Sequence, residues 1–236
     1  MQFLEKAVIV TGAGSGLGKE IALQYAQEGA SLVITDIDAE KLNHVTEQIK
    51  ENGGSVIGVE GDVSNIEHAK HTVDLAIKTF NKIDVLVNNA GIADSIVPTL
   101  EQDIEYWQKI IDVHLRGTFL FSKLVGSHMI KERYGKIVNI SSIAGLTGLP
   151  QRNAYGAAKA GIIAFTRSLA SEWAQYQINV NAVAPGYIMT PLVQDILSNT
   201  RIVHDKLKRR IPSGKLGNHW ILRMLYYFYH QIRLHI

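Results

Sequence analysis

Val8-Ile9-Val10-Thr11-Gly12-Ala13-Gly14-Ser15-Gly16-Leu17-Gly18 decides how this chain folds. Val8 to Thr11 are all β-branched, the composition of a strand. They run straight into a glycine-rich turn, and a helical period begins at Leu17. Gly12 and Gly16 can take positive φ and reverse the chain tightly. Gly18 lets the helix start close to the strand. The helix N-terminus then offers free N–H groups and a partial positive charge, which suits a pyrophosphate.

Outward from that stretch, short apolar runs alternate with longer helical segments. The runs at 7–11, 31–35, 55–60, 83–88, 136–141 and 179–184 are apolar almost throughout, as strands buried on both faces should be. Helical period fills 17–28, which Gly29 ends, and 38–52, which Asp38 caps and Gly53-Gly54 stop. Asn65 can cap 66–80, one or two helices fit 100–133, and another fits 152–176. This alternation predicts an α/β, doubly wound parallel sheet, with a ligand crevice at the carboxyl ends of its strands.

A length of 236 residues suits one such domain, and 46% hydrophobic with 19% charged residues supports a packed core. A formal net charge of +2 gives no argument for nucleic acid. Cysteine is absent, which excludes disulfides and thiolate metal sites; no metal site is expected. Glu5 and Lys6 interrupt any leader peptide, and the run 7–10 is too short to span a membrane. A cytoplasmic protein is the expectation.

Asp36 ends the second strand, 18 residues after Gly18. A carboxylate there can accept hydrogen bonds from ribose hydroxyls and would repel a 2′-phosphate. The glycine loop also holds no Arg or Lys before Lys19. Both facts favour NAD over NADP, although Asp36 could merely cap a turn. Downstream, Tyr155 and Lys159 lie four residues apart on one helical face, and Ser142 ends the fifth strand. Singly these are commonplace: a Tyr/Lys pair decorates many solvated helices, and Ser-Ser often ends a strand. Together they can do acid–base chemistry at a carbonyl oxygen. A phenol near pKa 10 would have to be lowered by the neighbouring ammonium to serve as base at neutral pH.

The ordered set resembles the short-chain dehydrogenase/reductase family over about residues 3–217. The glycine loop has that family's Thr-Gly-x-x-x-Gly-x-Gly spacing. Asp62-Val63, Asn88-Asn89-Ala90-Gly91, Ser141-Ser142, Tyr155-Gly156-Ala157-Ala158-Lys159 and Pro185-Gly186 with Thr190 follow in register. The resemblance implies a Rossmann fold and a hydride moved between NAD(H) and a secondary alcohol or ketone. Tyr155 would act as acid/base, Ser142 would hold the substrate oxygen, and Lys159 would bind the nicotinamide ribose. Gly12, Ser15, Gly16, Leu17 and Gly18 would cradle the pyrophosphate. Asp36 would take the ribose, Asp62 and Val63 the adenine, and Asn89, Ala90 and Gly91 the crevice floor. Pro185, Gly186, Ile188 and Thr190 would hold the nicotinamide amide. A 3-oxoacyl-carrier-protein reductase shares this pattern but usually takes NADPH, against which Asp36 argues.

Two departures stand out. The family's Asn after the fourth strand is His114 here, in Val113-His114-Leu115-Arg116-Gly117. That Asn helps hold a water beside the lysine. His114 can also hold one, and reduced turnover with an added pH dependence is expected. A nucleotide-binding protein with impaired catalysis is therefore a third reading. The second departure is the tail 219–236, which crowds aromatics where the family has its last helix and a glycine-rich strand. One nucleotide restored after the codon of Asn218, with synonymous codons chosen freely, turns the tail into Pro-Leu-Asp-Ile-Ala-Asn-Ala-Val-Leu-Phe-Leu. The single-codon residues Trp220 and Met224 still fit. The expectation is a dehydrogenase domain over 1–218 and a frameshifted tail over 219–236. The last strand and helix would then be missing or altered. The family is usually a homotetramer or dimer, and that assembly would be weakened.

Overall fold

The computed structural model describes residues 1–188 together with 211, 214 and 217. Among the described residues, six strands and six α-helices follow one another, alternating except where two helices separate the fourth and fifth strands. They are β1 (Ala7–Thr11), α1 (Gly16–Gln27), β2 (Ser31–Asp36), α2 (Ala39–Glu51), β3 (Ser55–Glu60) and α3 (Ile66–Phe80). The second half continues with β4 (Val85–Asn88), α4 (Ile104–Ile111), α5 (Gly117–Glu132), β5 (Gly135–Ile140), α6 (Asn153–Trp173) and β6 (Ile178–Val183). Every strand pairing is parallel, and the spatial order is β3-β2-β1-β4-β5-β6. The chain therefore winds outward in one direction from β1 and in the other from β4. The crevice between those two strand ends is the switch point of a doubly wound sheet.

Alternation along β1 shows why its residues had to be apolar on both sides. Val8 and Val10 pack with Ala22 and Tyr25 of α1 and Leu42, Val45 and Ile49 of α2. Ile9 points the other way, to Val73 of α3 and Phe121, Val125 and Met129 of α5. Caps fall where the sequence placed them. The Asp38 carboxylate accepts the Lys41 N–H at 3.1 Å, and the Asn65 side chain accepts from Glu67 and His68. Gly29 and Gly53 sit at φ +88° and +77°.

The segment expected to hold one or two helices holds two, joined by a π-helical turn over Asp112–Arg116. A π turn carries one residue more than an α turn and is common at functional sites. It lets α4 pack on α6 while α5 packs on α3, β4 and β5. Among the described residues, β6 is the outermost strand on its side. The expectations for Thr190, for most of the segment after Ile188 and for the tail 219–236 lie outside the described residues.

Phe121 is 1% exposed between α5 and the sheet. Phe121→Ala should lower unfolding free energy by about 3–5 kcal/mol, read as a lower urea midpoint at unchanged slope.

Candidate active site

The glycine loop is clamped to the end of β4. The Asn89 side-chain amide donates to the carbonyls of Thr11 and Gly12, both at 3.0 Å. The Thr11 hydroxyl returns the contact, accepting the N–H groups of Asn89 at 3.0 Å and Ala90 at 3.1 Å. Gly12 adopts φ +65°, and a Cβ there would lie 2.6 Å from the Ala90 Cα. A Cβ on Gly18 would fall 2.0 Å from the Gly12 carbonyl oxygen, so α1 can start this close to the loop only through a glycine. Ser15 is exposed at the head of α1, Leu17 is half-buried, and no side chain caps the helix. The first-turn N–H groups are thus left for an anion, and the cradle fits a dinucleotide pyrophosphate.

Asp36 stands at the end of β2 with both carboxylate oxygens fixed. One accepts the Gly14 N–H at 2.8 Å and the other the Asp38 N–H at 3.0 Å. Each oxygen keeps a lone pair for a ribose hydroxyl. Asp62 turns its carboxylate to the N–H and hydroxyl of Ser64, at 2.8 and 2.7 Å. Val63 is buried beside Gly117. Pro185 gives its carbonyl to the Ile143 N–H at 3.0 Å, Gly186 is exposed, and Ile188 is buried in a parallel bridge to Gly217.

Ser142, Tyr155 and Lys159 meet past the carboxyl end of β5. Lys159 is 4% exposed, donates from Nζ to the Ile140 carbonyl at 2.7 Å, and lies 5.5 Å from the Tyr155 ring centre. Ser142 Oγ accepts the Ala144 N–H at 3.1 Å and lies close enough to the phenol to act on its acidity. Ser141, its neighbour in sequence, is spent on structure: its hydroxyl donates to the Lys159 carbonyl at 2.7 Å.

The electrostatics correct one expectation. The Tyr155 phenol is raised above its ordinary value, first by burial, with Ser142 and Arg152 opposing. Burial also pulls the Lys159 ammonium down to about 7. Desolvation disfavours the charged form of each group, so near neutrality the phenol is protonated and the amine is poised between its two forms.

His114 lies in the π turn, 3% exposed, with its ring edge-on to Tyr155 at 5.3 Å between centres. Its Nε2 sits 3.1 Å from the Ile92 carbonyl oxygen, and Nδ1 is buried without a partner. Gly91 makes room for it: a Cβ there would come 2.4 Å from the imidazole Cε1. Burial, then the charge of Lys159, pushes the imidazole down to about 3. The expected added pH dependence is therefore corrected, because the ring stays neutral throughout the working range.

Two further residues lie beside the site, in the stretches 94–100 and 147–153 whose sequence is expected to set the substrate, though neither carries a motif of its own. The side chain of Asp94, in the loop after β4, is 1% exposed, and Arg152 heads α6 with its guanidinium 5.2 Å from the Tyr155 ring centre. A lone Asp and a lone Arg in variable loops carry no spacing signal. Among the described residues, no helix is long and apolar enough to cross a membrane.

The short chain dehydrogenase family model matches residues 6–201. A 3-oxoacyl-[acyl-carrier-protein] reductase FabG from Thermotoga maritima is 38% identical over 92% of this chain and 87% of that protein. An NAD-dependent glycerol dehydrogenase from Listeria innocua is 37% identical over 90% of this chain and 82% of its own length. Among solved structures, an NAD+-bound xylitol dehydrogenase superposes with a TM-score of 0.91 at 30% identity, covering 97% of this chain and 93% of that one. A levodione reductase does so with 0.91 at 32%, covering 95% and 90%.

The buried bases make stability depend on pH. Between about 3 and 6.5 the unfolded His114 binds a proton that the folded one refuses, so stability falls as pH drops through that window. Between about 7 and 10.5 the same holds for Lys159, so stability rises with pH there. Melting curves across pH should show His114→Asn flattening the acid limb and Lys159→Met the alkaline one. Turnover of His114→Asn should rise with no change in the shape of its pH profile between 5 and 9.

Proposed function

The chain belongs to the short-chain dehydrogenase/reductase family, and from that premise we propose that this oxidoreductase exchanges a hydride between NAD(H) and a secondary alcohol or ketone, with Tyr155 as acid/base. One observation carries the reading: Tyr155, Ser142 and Lys159 converge past the carboxyl end of β5, on the same edge of the all-parallel sheet as the glycine loop after β1. The pyrophosphate would lie on Gly12, Ser15, Gly16, Leu17 and Gly18, with Asp36 on the adenosine ribose. Asp62, Val63, Asn89, Ala90 and Gly91 would line the adenine side and floor. Pro185, Gly186, Ile188 and Thr190 would lie at the nicotinamide end.

When bound, NADH supplies the hydride. In the reductive direction Tyr155 holds a proton at Oη, which burial keeps in place at neutral pH. The substrate oxygen accepts that proton as its carbon accepts the hydride, and a C=O becomes a CH–OH. Ser142 Oγ holds the substrate oxygen within reach of the phenol. Lys159, held on the Ile140 carbonyl, stands behind the ring where its ammonium form stabilises the phenolate left behind. The neutral His114 ring fixes the π turn against Ile92 and walls the phenol.

Asp36 supports NAD over NADP. Its carboxylate is fixed by two backbone N–H groups and cannot turn away from a 2′-phosphate without breaking both. The 38% identity to a FabG reductase favours a second reading, a 3-oxoacyl thioester reductase with a phosphorylated cofactor.

Steady-state rates with NADH and NADPH against simple ketones and a 3-oxoacyl thioester decide between these. NADH with a simple ketone is expected to win, and a clear preference for NADPH with the thioester would transfer the assignment. Tyr155→Phe should lower kcat by about 10²–10⁴-fold while NADH still binds. Alcohol oxidation should climb into the alkaline range, because the raised phenol must ionise to act as base.

A further inference from the structure

We propose that His68 is a positioning residue for the cofactor: its neutral imidazole holds the loop from Asp62 to Ser64 in the shape that receives the adenine, and a proton on the ring releases that loop. The inference rests on the reading above in which Asp62 and Val63 line the adenine side.

The loop needs an acceptor here. Gly61, just past β3, donates its N–H to the Asp36 carbonyl at 2.9 Å and so extends the pairing with β2 by one bond. Among the described residues β3 is the outermost strand on its side. The Asp62 N–H, next along, goes instead to His68 in the first turn of α3, whose Nδ1 accepts it at 3.0 Å. The helix comes this near because residue 61 is glycine: a Cβ there would lie 3.2 Å from the His68 Cβ.

Every other tie of the loop is independent of pH near neutrality. The Asp62 carbonyl accepts the Asn65 N–H at 3.0 Å, and Asp62 Oδ1 takes the N–H and hydroxyl of Ser64. Arg116 of the π turn donates to the Ser64 carbonyl. Val63 packs on Gly117, where a Cβ would fall 2.9 Å from the Val63 Cγ2. The imidazole is the one member of this set that a proton can turn from acceptor to donor.

A backbone N–H can only donate, so Nδ1 must be bare and the ring carries its hydrogen on Nε2. An imidazolium has N–H on both nitrogens, which sets donor against donor. The ring must then swing away or push Asp62 out of place, and either way the Asp62 N–H is stranded. The cofactor finds the receiving shape in only a fraction of molecules, and its apparent affinity falls by that fraction. The charged and titratable groups around the ring are Asp36 and Asp62 from the strand ends, Arg116 from the π turn, and Glu67, Lys70 and His71 on α3. Among the described residues none of them forms an ion pair with His68.

Calorimetry with NAD+ on the natural protein, His68→Asn and His68→Ala tests this at about pH 8 and about pH 5.5, an interval over which imidazole commonly changes charge. Asn places an amide oxygen close to the position of Nδ1 and takes up no proton. At the higher pH the natural and Asn proteins should bind equally, with the Ala variant about 3- to 10-fold weaker. At the lower pH the natural protein should fall to the level of the Ala variant, while the Asn variant keeps a lead of about 3- to 10-fold. The Lys159 amine, which changes form at about 7, acts on all three proteins alike and cancels in the ratios between them. An acid loss in His68→Asn as large as in the natural protein would overturn the inference. So would equal affinities throughout, or an Ala variant that melts earlier yet binds NAD+ as the natural protein does. Failure of all three proteins to bind NAD+ would sink the cofactor reading itself, whereas binding with unchanged ratios would remove only the role of His68.

Discussion

The Asn89 amide, gripping the carbonyls of Thr11 and Gly12 at 3.0 Å each, fixes the gap between β1 and β4. Those strands are neighbours in space but far apart in sequence, and the sheet winds away from them in opposite directions. The Thr11 hydroxyl closes the clamp from the other side through the N–H groups of Asn89 and Ala90. Everything at the carboxyl edge takes its position from this tie. Gly12 can lie against Ala90 and Gly18 against Gly12 only because neither carries a Cβ. The first turn of α1 then points at the crevice, and Gly91, next along, meets the wall that holds Tyr155.

Beyond the clamp, the reacting groups are tuned chiefly by removal from water. Burial works in opposite directions on an acid and a base: it keeps the Tyr155 phenol protonated and loosens the proton of Lys159. A resting site with little net charge follows. It neither attracts nor repels a neutral ketone strongly, and the polar directions it offers come from fixed groups. Ser142 faces the phenol, while Asp94 and Arg152 pair with each other beside it. The Ile140 carbonyl keeps the ammonium form available despite its burial, since it accepts from Nζ at 2.7 Å.

Much of this was legible in the sequence where chemistry and backbone constraint coincide. The run Val8 to Thr11 with its glycines placed β1, the turn and α1 within a residue of where they stand. Asp38 and Asn65 foretold their caps. Tyr155 and Lys159 could be paired through helical periodicity, and Ser142 joined them through the family resemblance. Features that depend on three-dimensional crowding were not legible. The shifts of Tyr155 and His114 follow from how much water each loses, which no spacing reports. The π turn leaves no mark in the hydrophobic pattern of residues 104–132. Asp94 and Arg152 are far apart in the chain and become a pair only once the loop after β4 folds against the start of α6.

That π turn has a consequence for how the chain tolerates change in length. One extra residue in a single turn displaces the helix face by about 100°. The apolar side of α4 thus looks toward α6 while that of α5 looks toward the sheet. Trimming a residue from Asp112–Arg116 would yield a smoother cylinder and a worse molecule. Either the Ile110 side would swing off α6 or Phe121 would swing off the strands, and His114 would leave the ring it abuts. An irregularity that looks like a local defect thus acts as a gear, setting the phase between the half of the rod that builds the pocket and the half that anchors it.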